Sequence, residues 1–483
     1  MSELAFASAI ELAAKIKAKE ISSAELTELY IRRIEQYDGD INAVVVRIFD
    51  KALEDASAAD AAQAAGDDLG PLHGVPMTIK ESYVIAGTPA TWGIEEFRNN
   101  VAAEDGLAVQ RFRNAGTHFL GKTNVPVDLA DFQSFNPIYG TTGNPWDTTR
   151  TPGGSSGGSA AALAAGFSGL EAGSDIGGSI RNPAHFCGVY GHKPTYGIVP
   201  MQGHELVQGF PDADLSVCGP LARSAADLHL ALNIMAGPIE REAAGWQLSL
   251  PAANLDSLKN LRVAVWATDE IAPVSGETAE RANMVAETLA KLGATVSDTA
   301  RPNFDLKRAH ATYQTLLTSV MSMAMKDDEV AKAEELVGSL DPDDDSNNAV
   351  SARARILPHR HWLRFNRRRE KLRNAWTGFF KDWDILVCPQ MATPAFEHDH
   401  KPFNDRIITV DNADQPYFQQ LVWSGLVTNS YLPSTVFPTG PSREGLPIGL
   451  QAVSGAYQDH KTIEFADLLS REIGGFIAPP RLA

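Results

Sequence analysis

The stretch from Thr151 to Pro194 constrains this chain more than any other, because it contains two serine clusters set among glycines. Gly153-Gly154-Ser155-Ser156-Gly157-Gly158 and Gly177-Gly178-Ser179 are joined by an alanine-rich segment that we predict to be helical over 160–165. Glycine adopts positive φ readily and lets the backbone approach a ligand closely. A serine in such a turn presents its hydroxyl group, while nearby N–H groups can converge to form an oxyanion hole. Two such serines in one short stretch indicate acyl-transfer chemistry.

The same stretch resembles the signature of the amidase signature family of serine hydrolases, through GGSSGGSAAALAAG and SDIGGSIRNPAHFCGVYGHKPT. The spacing from Ser155 to Ser179 is also the one that the family shows between its bridging and nucleophilic serines. The rest of the chain has the family's layout, so the resemblance covers nearly all 483 residues. It implies an α/β fold with a central mixed β-sheet flanked by helices. We expect a single domain over 1–483, with the signature core at about 71–200 and N-terminal helices over 1–66.

Composition narrows the functional classes. A net charge of −18 argues against a nucleic-acid or anionic-membrane surface, and 44% hydrophobic residues are ample for a large core. The three cysteines, Cys187, Cys218 and Cys388, are better explained as buried thiols in a reducing compartment than as a disulfide framework. Neither a signal sequence nor an apolar run of membrane-spanning length is evident. We expect a cytoplasmic enzyme with a small-molecule amide substrate and no nucleic-acid or membrane partner; a homodimer is left open.

Lys80 ends a predicted strand in which Val75, Met77 and Ile79 alternate with other residues. Taken alone, such a lysine is better explained as a solvated charge. The resemblance reverses this interpretation, because G-V-P-x-x-x-K is where the family places its catalytic lysine. The ordinary pKa of lysine is about 10.4, so a lysine base must be desolvated or placed near other cations, and we expect Lys80 to be buried. Lys122 is a competing base, but its match to the family's G-K-T-N element implies a structural role.

The resemblance also implies a division of labour in the catalytic relay. Ser179 is the expected nucleophile, and Ser155 is the bridging residue that takes its proton and passes its own proton to neutral Lys80. Family members hold the bridging serine through a cis peptide bond, here between Gly154 and Ser155. No metal and no organic cofactor is required.

The loop around the nucleophile carries the remaining expected roles. Asp175 and Arg181 flank Ser179 and are expected to hold its loop by hydrogen bonds and charge. The transition-state oxyanion is expected to be stabilised by the N–H groups of Ile176, Gly177, Gly178 and Ser179.

The loop from Val125 to Gly140 contributes to the acyl pocket in the resemblance, with Leu129 and Ala130 as the expected substrate-binding residues. Phe132 and Phe135 add aromatic surface, and no arginine lies in this loop to bind a carboxylate. We therefore expect hydrolysis of neutral, largely apolar aryl or alkyl amides, with esters and carbamates (urethanes) as further candidates.

Three other interpretations compete. Gly153-x-Ser155-x-Gly157 satisfies the nucleophile-elbow pattern of α/β-hydrolases, but the preceding residues 147–152 do not form the apolar strand that the elbow requires. The interpretation as a phosphate-binding glycine-rich loop is weak, because no Gly-Lys-Ser/Thr follows the glycines. A glutamine-amidase subunit of a multi-protein amidotransferase would share the same triad and differ by requiring partner chains, so this alternative stays open.

Outside the signature, the sequence predicts ordinary elements. Ser22 to Glu25 is a capping box that starts a helix, and an alanine-rich helix from Lys51 to Ala65 ends at Gly66. Buried strands are expected at Leu261–Trp266, Asp384–Pro389 and Leu446–Val453.

Three polar clusters outside the signature are interpreted as surface features. The acidic loop 341–348 lacks the spacing of a calcium loop. His398-Asp399-His400 is better explained as exposed chain than as a metal site. The basic run 367–369 is expected to form the solvated face of a helix.

Overall fold

An eight-stranded β-sheet is the largest element of the structure, a computed structural model that describes residues 2–67, 69–207 and 212–483. In chain order, the strands are β1 Val44–Arg47, β2 Pro76–Lys80, β3 His118–Thr123, β4 Phe135–Asn136, β5 Gly140–Thr141, β6 Glu171–Asp175, β7 Tyr190–Lys193, β8 Val217–Ala222, β9 Arg262–Val265, β10 Thr295–Ser297, β11 Ile385–Pro389, β12 Ile407–Val410, β13 Ala413–Pro416, β14 Ser434–Pro441 and β15 Pro447–Val453.

The large sheet has the order β10-β9-β11-β15-β14-β7-β8-β6. β9 pairs in parallel with both of its neighbours, whereas the other adjacent pairs are antiparallel. The predicted mixed sheet is therefore confirmed. A separate three-stranded sheet has the order β1-β3-β2, and its strand β2 ends at Lys80. The strands β4 and β5 form a two-stranded pair, as do β12 and β13.

Helices make up most of the remaining structure. In chain order, they are α1 Ser2–Ala5, α2 Ala9–Lys17, α3 Ser23–Ile41, α4 Phe49–Ala65, α5 Leu107–Asn114, α6 Gly157–Ala164, α7 Arg181–Cys187, α8 Ala225–Met235, α9 Glu240–Ala243, α10 Gly276–Lys291, α11 Leu306–Met321, α12 Asp327–Ser339, α13 Asn347–Arg355, α14 His359–Asp382, α15 Leu421–Thr428 and α16 Asp459–Ile473. Within the described ranges, no helix combines the length and the apolarity needed to cross a bilayer.

Alternating side chains along β11 divide the core between the two faces of the sheet. Ile385 and Val387 belong to a cluster that includes α2, α3, α8 and α16. Leu386 and Cys388 belong to a second cluster, built with α11, α14 and α15. Successive residues of a strand point to opposite faces. Helices therefore cover the sheet on both sides, as the α/β prediction requires.

Most of the elements predicted from the sequence are present, with shifts of a few residues at their ends. Ser22 caps α3 with both hydrogen bonds of the capping box, and α4 ends at Gly66, whose φ is 81°. The predicted strands became β9, β11 and β15, and the three cysteines are free and buried. The single domain over 1–483 stays a prediction.

The interpretation of the basic run on α14 as a solvated face is wrong for one of its three residues. Arg369 is buried, and its guanidinium lies 2.7 Å from the Asp214 carboxylate. Arg369 also stacks over the ring of Tyr431. Its partners are distant in sequence, so no local pattern distinguishes it from its exposed neighbours.

Candidate active site

Lys80 lies at the end of β2, a strand whose five residues are all buried. Its side chain has no exposure to solvent, so the expectation of burial is confirmed. The Lys80 amine lies 2.6 Å from Ser155 Oγ and 2.9 Å from Ser174 Oγ. The Lys80 amine therefore contacts two hydroxyl groups, and it forms no ion pair within the described part of the chain.

Burial lowers the pKa of Lys80 from its ordinary value to about 7. The thiol of Cys218 and the carboxyl groups of Asp175 and Glu171 oppose this shift without reversing it. At neutral pH a substantial fraction of Lys80 is uncharged, and an uncharged amine can accept a proton from a neighbouring hydroxyl group.

The turn that carries Ser155 packs directly on the loop that carries Ser179. The peptide bond between Gly154 and Ser155 is cis. The Ser156 N–H donates to the Ser179 carbonyl at 3.0 Å, and the Gly154 N–H donates to Asn182 Oδ1 at 2.9 Å. A Cβ atom on Gly154 would lie 2.4 Å from the Asp131 carbonyl oxygen, so only glycine fits here. These contacts bring the two serine clusters together and place Ser155 beside Lys80.

Asp175 and Arg181 form a fully buried ion pair around the Ser179 loop. The Arg181 guanidinium donates to both oxygens of Asp175, at 2.9 and 3.0 Å. The Asp175 oxygens also accept from the N–H groups of Gly178 and Ile180, at 2.9 and 3.1 Å. Burial would raise the pKa of Asp175, but the Arg181 charge and these hydrogen bonds outweigh it and hold that pKa below its ordinary value.

The same arginine ties the loop to the rest of the fold. Arg181 donates to Gln451 on β15 at 3.0 Å and to Thr428 on α15 at 2.8 Å. Its guanidinium is therefore saturated by protein acceptors, which fits a role in holding the loop better than a role in binding substrate.

The backbone donors of the loop are fewer than the sequence interpretation assumed. The Gly178 N–H points to Asp175, so it is not free to bind an oxyanion, and the assignment of Gly178 to the oxyanion hole needs correction. The N–H groups of Ile176, Gly177 and Ser179 have no protein acceptor among the described residues. Tyr313, on α11, fixes the same loop by donating its hydroxyl to the Ile176 carbonyl at 2.7 Å.

A cavity of about 760 Å³ opens above this loop, a size typical of small-molecule sites. Ile176, Gly177 and Ser179 form one part of its wall, and Leu129 and Ala130 line it as well. Leu129 has a left-handed backbone with φ 56°, which is uncommon outside glycine. The nucleophile candidate Ser179 is 8% exposed and lines this cavity.

The other walls of the cavity differ in part from the sequence expectation. Phe132 lines the cavity, but Phe135 stacks on His400 with ring centroids 4.1 Å apart and is absent from the lining. Asp131 also faces the cavity, where Arg406 at 2.6 Å and the Tyr417 hydroxyl at 2.8 Å satisfy its carboxylate.

Helices α11, α12 and α13 supply the outer wall, which sequence reasoning missed. Their apolar lining residues include Leu317, Met321 and Leu336, and Met325 lines the cavity from the turn between α11 and α12. Charged side chains are interspersed among them: Glu329, Lys332 and Arg355. No motif marks these helices, because they meet the signature only in the folded chain.

Ser174 was also missed, although it directly precedes Asp175 in the signature. Its hydroxyl is the second contact of the Lys80 amine. The available signal was its position on β6, beside the strand that carries Lys80.

The geometry and the comparisons agree on the class of protein. The family model described as Amidase matches residues 25–463, so the chain belongs to the Amidase family. Membership makes it a hydrolase of carbon–nitrogen bonds, and a Ser-Ser-Lys triad is characteristic of this family.

Individual relatives match along nearly the whole chain. The indoleacetamide hydrolase of Bradyrhizobium diazoefficiens is 32% identical, over 97% of this chain and 86% of its own. A glutamyl-tRNA(Gln) amidotransferase subunit from Acidothermus cellulolyticus is also 32% identical, over 95% of this chain and 93% of its own. The crystal structure of a bacterial aryl acylamidase of the amidase signature family superposes with a TM-score of 0.79 at 25% identity, covering 96% of each chain.

Replacing Arg181 with methionine should lower the free energy of unfolding by about 3–5 kcal/mol, because it leaves the Asp175 carboxylate buried without its counter-charge. Urea unfolding of the purified variant measures this. Arg98→Met, which removes an exposed arginine paired with Glu95, is the matched control and should change stability little. A loss no larger than that of the control would show that Arg181 does not hold the loop.

Proposed function

We propose that this chain hydrolyses neutral, largely apolar amides through an acyl-enzyme formed on Ser179, using a Lys80–Ser155–Ser179 relay. The observation that carries the proposal is the contact of 2.6 Å between a fully buried lysine amine and Ser155 Oγ. The turn that carries Ser155 is bonded to the Ser179 backbone, and Ser179 opens into the cavity.

In acylation, Ser179 Oγ attacks the carbonyl carbon of the substrate. Its proton passes to Ser155, and the Ser155 proton passes to the uncharged Lys80 amine. The developing oxyanion accepts from the free N–H groups of Ile176, Gly177 and Ser179, each of which supports the transition state by about 3–4 kcal/mol if it behaves like donors in other hydrolases.

The tetrahedral intermediate then collapses as the leaving nitrogen takes a proton from Ser155, which regains one from protonated Lys80. Water repeats the sequence on the ester of Ser179 and releases the acid. Ser174 holds the Lys80 amine from its second side, so the amine keeps its direction toward Ser155 while its charge changes.

The lining of the cavity supports a preference for uncharged substrates near the scissile bond. Leu129, Ala130 and Phe132 present apolar surface, and the nearby Asp131 is neutralised by Arg406. The names of two relatives, an indoleacetamide hydrolase and an aryl acylamidase, point to amides that carry aromatic groups. We therefore infer aryl or alkyl amides as substrates, with esters and carbamates as further candidates.

The second candidate is a glutamine-amidase component of a multi-protein amidotransferase, favoured by the similarity to the glutamyl-tRNA(Gln) amidotransferase of Acidothermus cellulolyticus. One observation fits it: Arg355 and Lys332 put cationic groups on the outer wall, and the α-carboxylate of glutamine is a suitable partner for such groups. The part of the wall beside Ser179, formed by Leu129, Ala130, Ile176 and Gly177, has no cationic side chain.

A substrate panel separates the two candidates. The purified chain is run on a size-exclusion column, and its peak is assayed with aryl anilides, fatty amides, glutamine and small carbamates. Hydrolysis of anilides by the chain alone supports the proposal. A clear preference for glutamine, or activity only with partner chains, would favour the second candidate.

Ser179→Ala should abolish turnover and leave the fold intact, because the surrounding loop is held by Asp175 and Arg181 rather than by this hydroxyl. Turnover and circular dichroism test the two parts. As a second measurement, mass spectrometry after treatment with a reactive phosphonate should place the adduct on Ser179. Ser156→Ala is the matched control. An adduct on Ser155 or Ser156 would identify a different nucleophile, and so would a Ser179→Ala variant that keeps its activity.

The pH dependence of kcat/KM should show an acidic limb near pH 7, because the lowered pKa of Lys80 is about 7 and only the uncharged amine accepts the relay proton. Below this limb, activity should fall about tenfold per pH unit, and Lys80→Ala should lose amide hydrolysis altogether. Lys122→Ala tests the competing lysine and should not move the limb. A limb that vanishes on replacement of a histidine would contradict the relay.

Ala130→Phe should raise KM for aryl anilides more than for small amides, by overfilling the cavity beside Ser179. Steady-state kinetics on a matched pair, an anilide and a short primary amide, gives the comparison. Ala58→Phe, on the exposed side of α4, is the control for the added ring. Equal increases in KM for both substrates would show that Ala130 does not line the acyl pocket.

A further inference from the structure

Tyr313 is a fully buried tyrosine on α11 that the relay does not use. Its hydroxyl donates to the Ile176 carbonyl at 2.7 Å and has no other hydrogen-bond partner in the described part of the chain. Burial raises the pKa of this hydroxyl above the ordinary value of tyrosine, so the group keeps its proton and acts as a donor. Tyr313 is therefore hydrogen-bonded to the Ser179 loop at one backbone atom.

That atom belongs to the same peptide unit as one of the free N–H donors. The Ile176 carbonyl and the Gly177 N–H lie in one planar trans peptide, in which the two groups point in opposite directions. Holding the carbonyl toward α11 therefore directs the Gly177 N–H away from α11. Because Gly177 lines the cavity and Tyr313 lies outside its lining, this direction leads toward the cavity.

The loop needs a restraint at this point because Gly177 and Gly178 are adjacent. Glycine has no side chain to limit the rotation of the peptides on either side of it. Asp175 holds the peptide after Gly177, through the Gly178 N–H at 2.9 Å. Among the described residues, the Tyr313 hydroxyl is the one group that makes a hydrogen bond to the peptide before Gly177. The direction of the Gly177 N–H therefore depends on Tyr313.

The ring of Tyr313 is held in a space that a glycine provides. Gly425 lies inside α15, although glycine is a poor helix former. A Cβ atom on Gly425 would lie 2.2 Å from a ring carbon of Tyr313, so the ring packs directly against the α15 backbone. The same helix accepts a hydrogen bond from Arg181 through Thr428. Both residues that hold the Ser179 loop from outside are thus fixed against α15.

We propose that Tyr313 is a positioning residue of the oxyanion hole, which fixes the Ile176–Gly177 peptide so that the Gly177 N–H meets the oxyanion of the reacting substrate. This inference rests on the proposed attack by Ser179. The hydroxyl does not touch the substrate and acts only through the peptide. A donor that is already oriented needs no rearrangement as the negative charge develops. Loss of the hydroxyl should therefore slow the chemical step and leave substrate binding nearly unchanged.

The first test is the kinetics of Tyr313→Phe, which removes the hydroxyl and keeps the ring. With an aryl anilide, kcat should fall by about tenfold or more, toward the loss of about a hundredfold that follows removal of an oxyanion donor in other hydrolases, and KM should change by less than about twofold. Tyr30→Phe is the matched control, because Tyr30 is equally buried but belongs to the core cluster on the other face of the sheet. A kcat within about twofold of the wild-type value would overturn the proposal.

A second test separates the oxyanion from the rest of the substrate. The probe is a trifluoromethyl ketone analogue of the anilide. Ser179 Oγ adds to its carbonyl carbon, the carbonyl oxygen becomes an oxyanion, and the Ser179 proton passes through Ser155 to Lys80. The inhibition constant of the ketone should rise in Tyr313→Phe by the factor by which kcat/KM falls. The intact anilide should bind Ser179→Ala and Ser179→Ala/Tyr313→Phe with equal Kd. Equal weakening of both ligands would assign Tyr313 to the shape of the cavity and overturn the proposal.

Should Tyr313→Phe fail to fold, Gly425→Ala provides a second variant. Its added methyl group displaces the Tyr313 ring and should lower kcat in the same way. Gly378→Ala, inside α14, is the matched control, because its added methyl group meets no atom within 4 Å. Wild-type kcat in Gly425→Ala would overturn the proposal.

The ketone also distinguishes this inference from the proposed function. A wild-type protein that forms no adduct with it would overturn the proposed attack by Ser179, and this inference with it. An adduct that the wild type and Tyr313→Phe form equally tightly would overturn this inference alone.

Discussion

The buried ion pair between Asp175 and Arg181 is the interaction on which the site depends. Neither side chain reaches solvent, yet each is saturated with partners. Through Arg181 the Ser179 loop is joined to β15 and α15, which lie far away along the chain. A buried network of this kind stabilises one arrangement only when every member is satisfied. The loop can therefore present free N–H groups and the Ser179 hydroxyl to the cavity without losing its shape.

Much of the fold and the centre of the site could be predicted because their determinants are local. Glycine and serine spacing, the capping box at Ser22 and the strand ending at Lys80 each depend on a few adjacent residues. The mixed sheet and the pairing of Ser155 with Lys80 followed from the family resemblance, and the structure places these groups in contact.

The features that the sequence did not predict depend on contacts between segments that are distant along the chain. Arg369 looks like its exposed neighbours until Asp214 is brought beside it, and Phe135 turns from the cavity to stack on His400. The direction of the Gly178 N–H is a matter of one peptide orientation, which glycine permits but no sequence pattern specifies. Tyr313 reaches the loop from more than a hundred residues away.

The outer wall of the cavity comes from α11 to α13 and the turn between α11 and α12, which lie within the connection between β10 and β11. Leu129, Ala130 and the residues of the proposed relay come from the first half of the chain. Of the three helices, α11 also holds the Ser179 loop through Tyr313, whereas α12 and α13 line the cavity without such a hydrogen bond among the described residues. One wall of the cavity therefore comes from a segment that is separate from the residues proposed for the catalytic relay. We expect that exchanging residues 327–355 between relatives, which leaves Tyr313 in place, would alter substrate preference and spare the proposed relay.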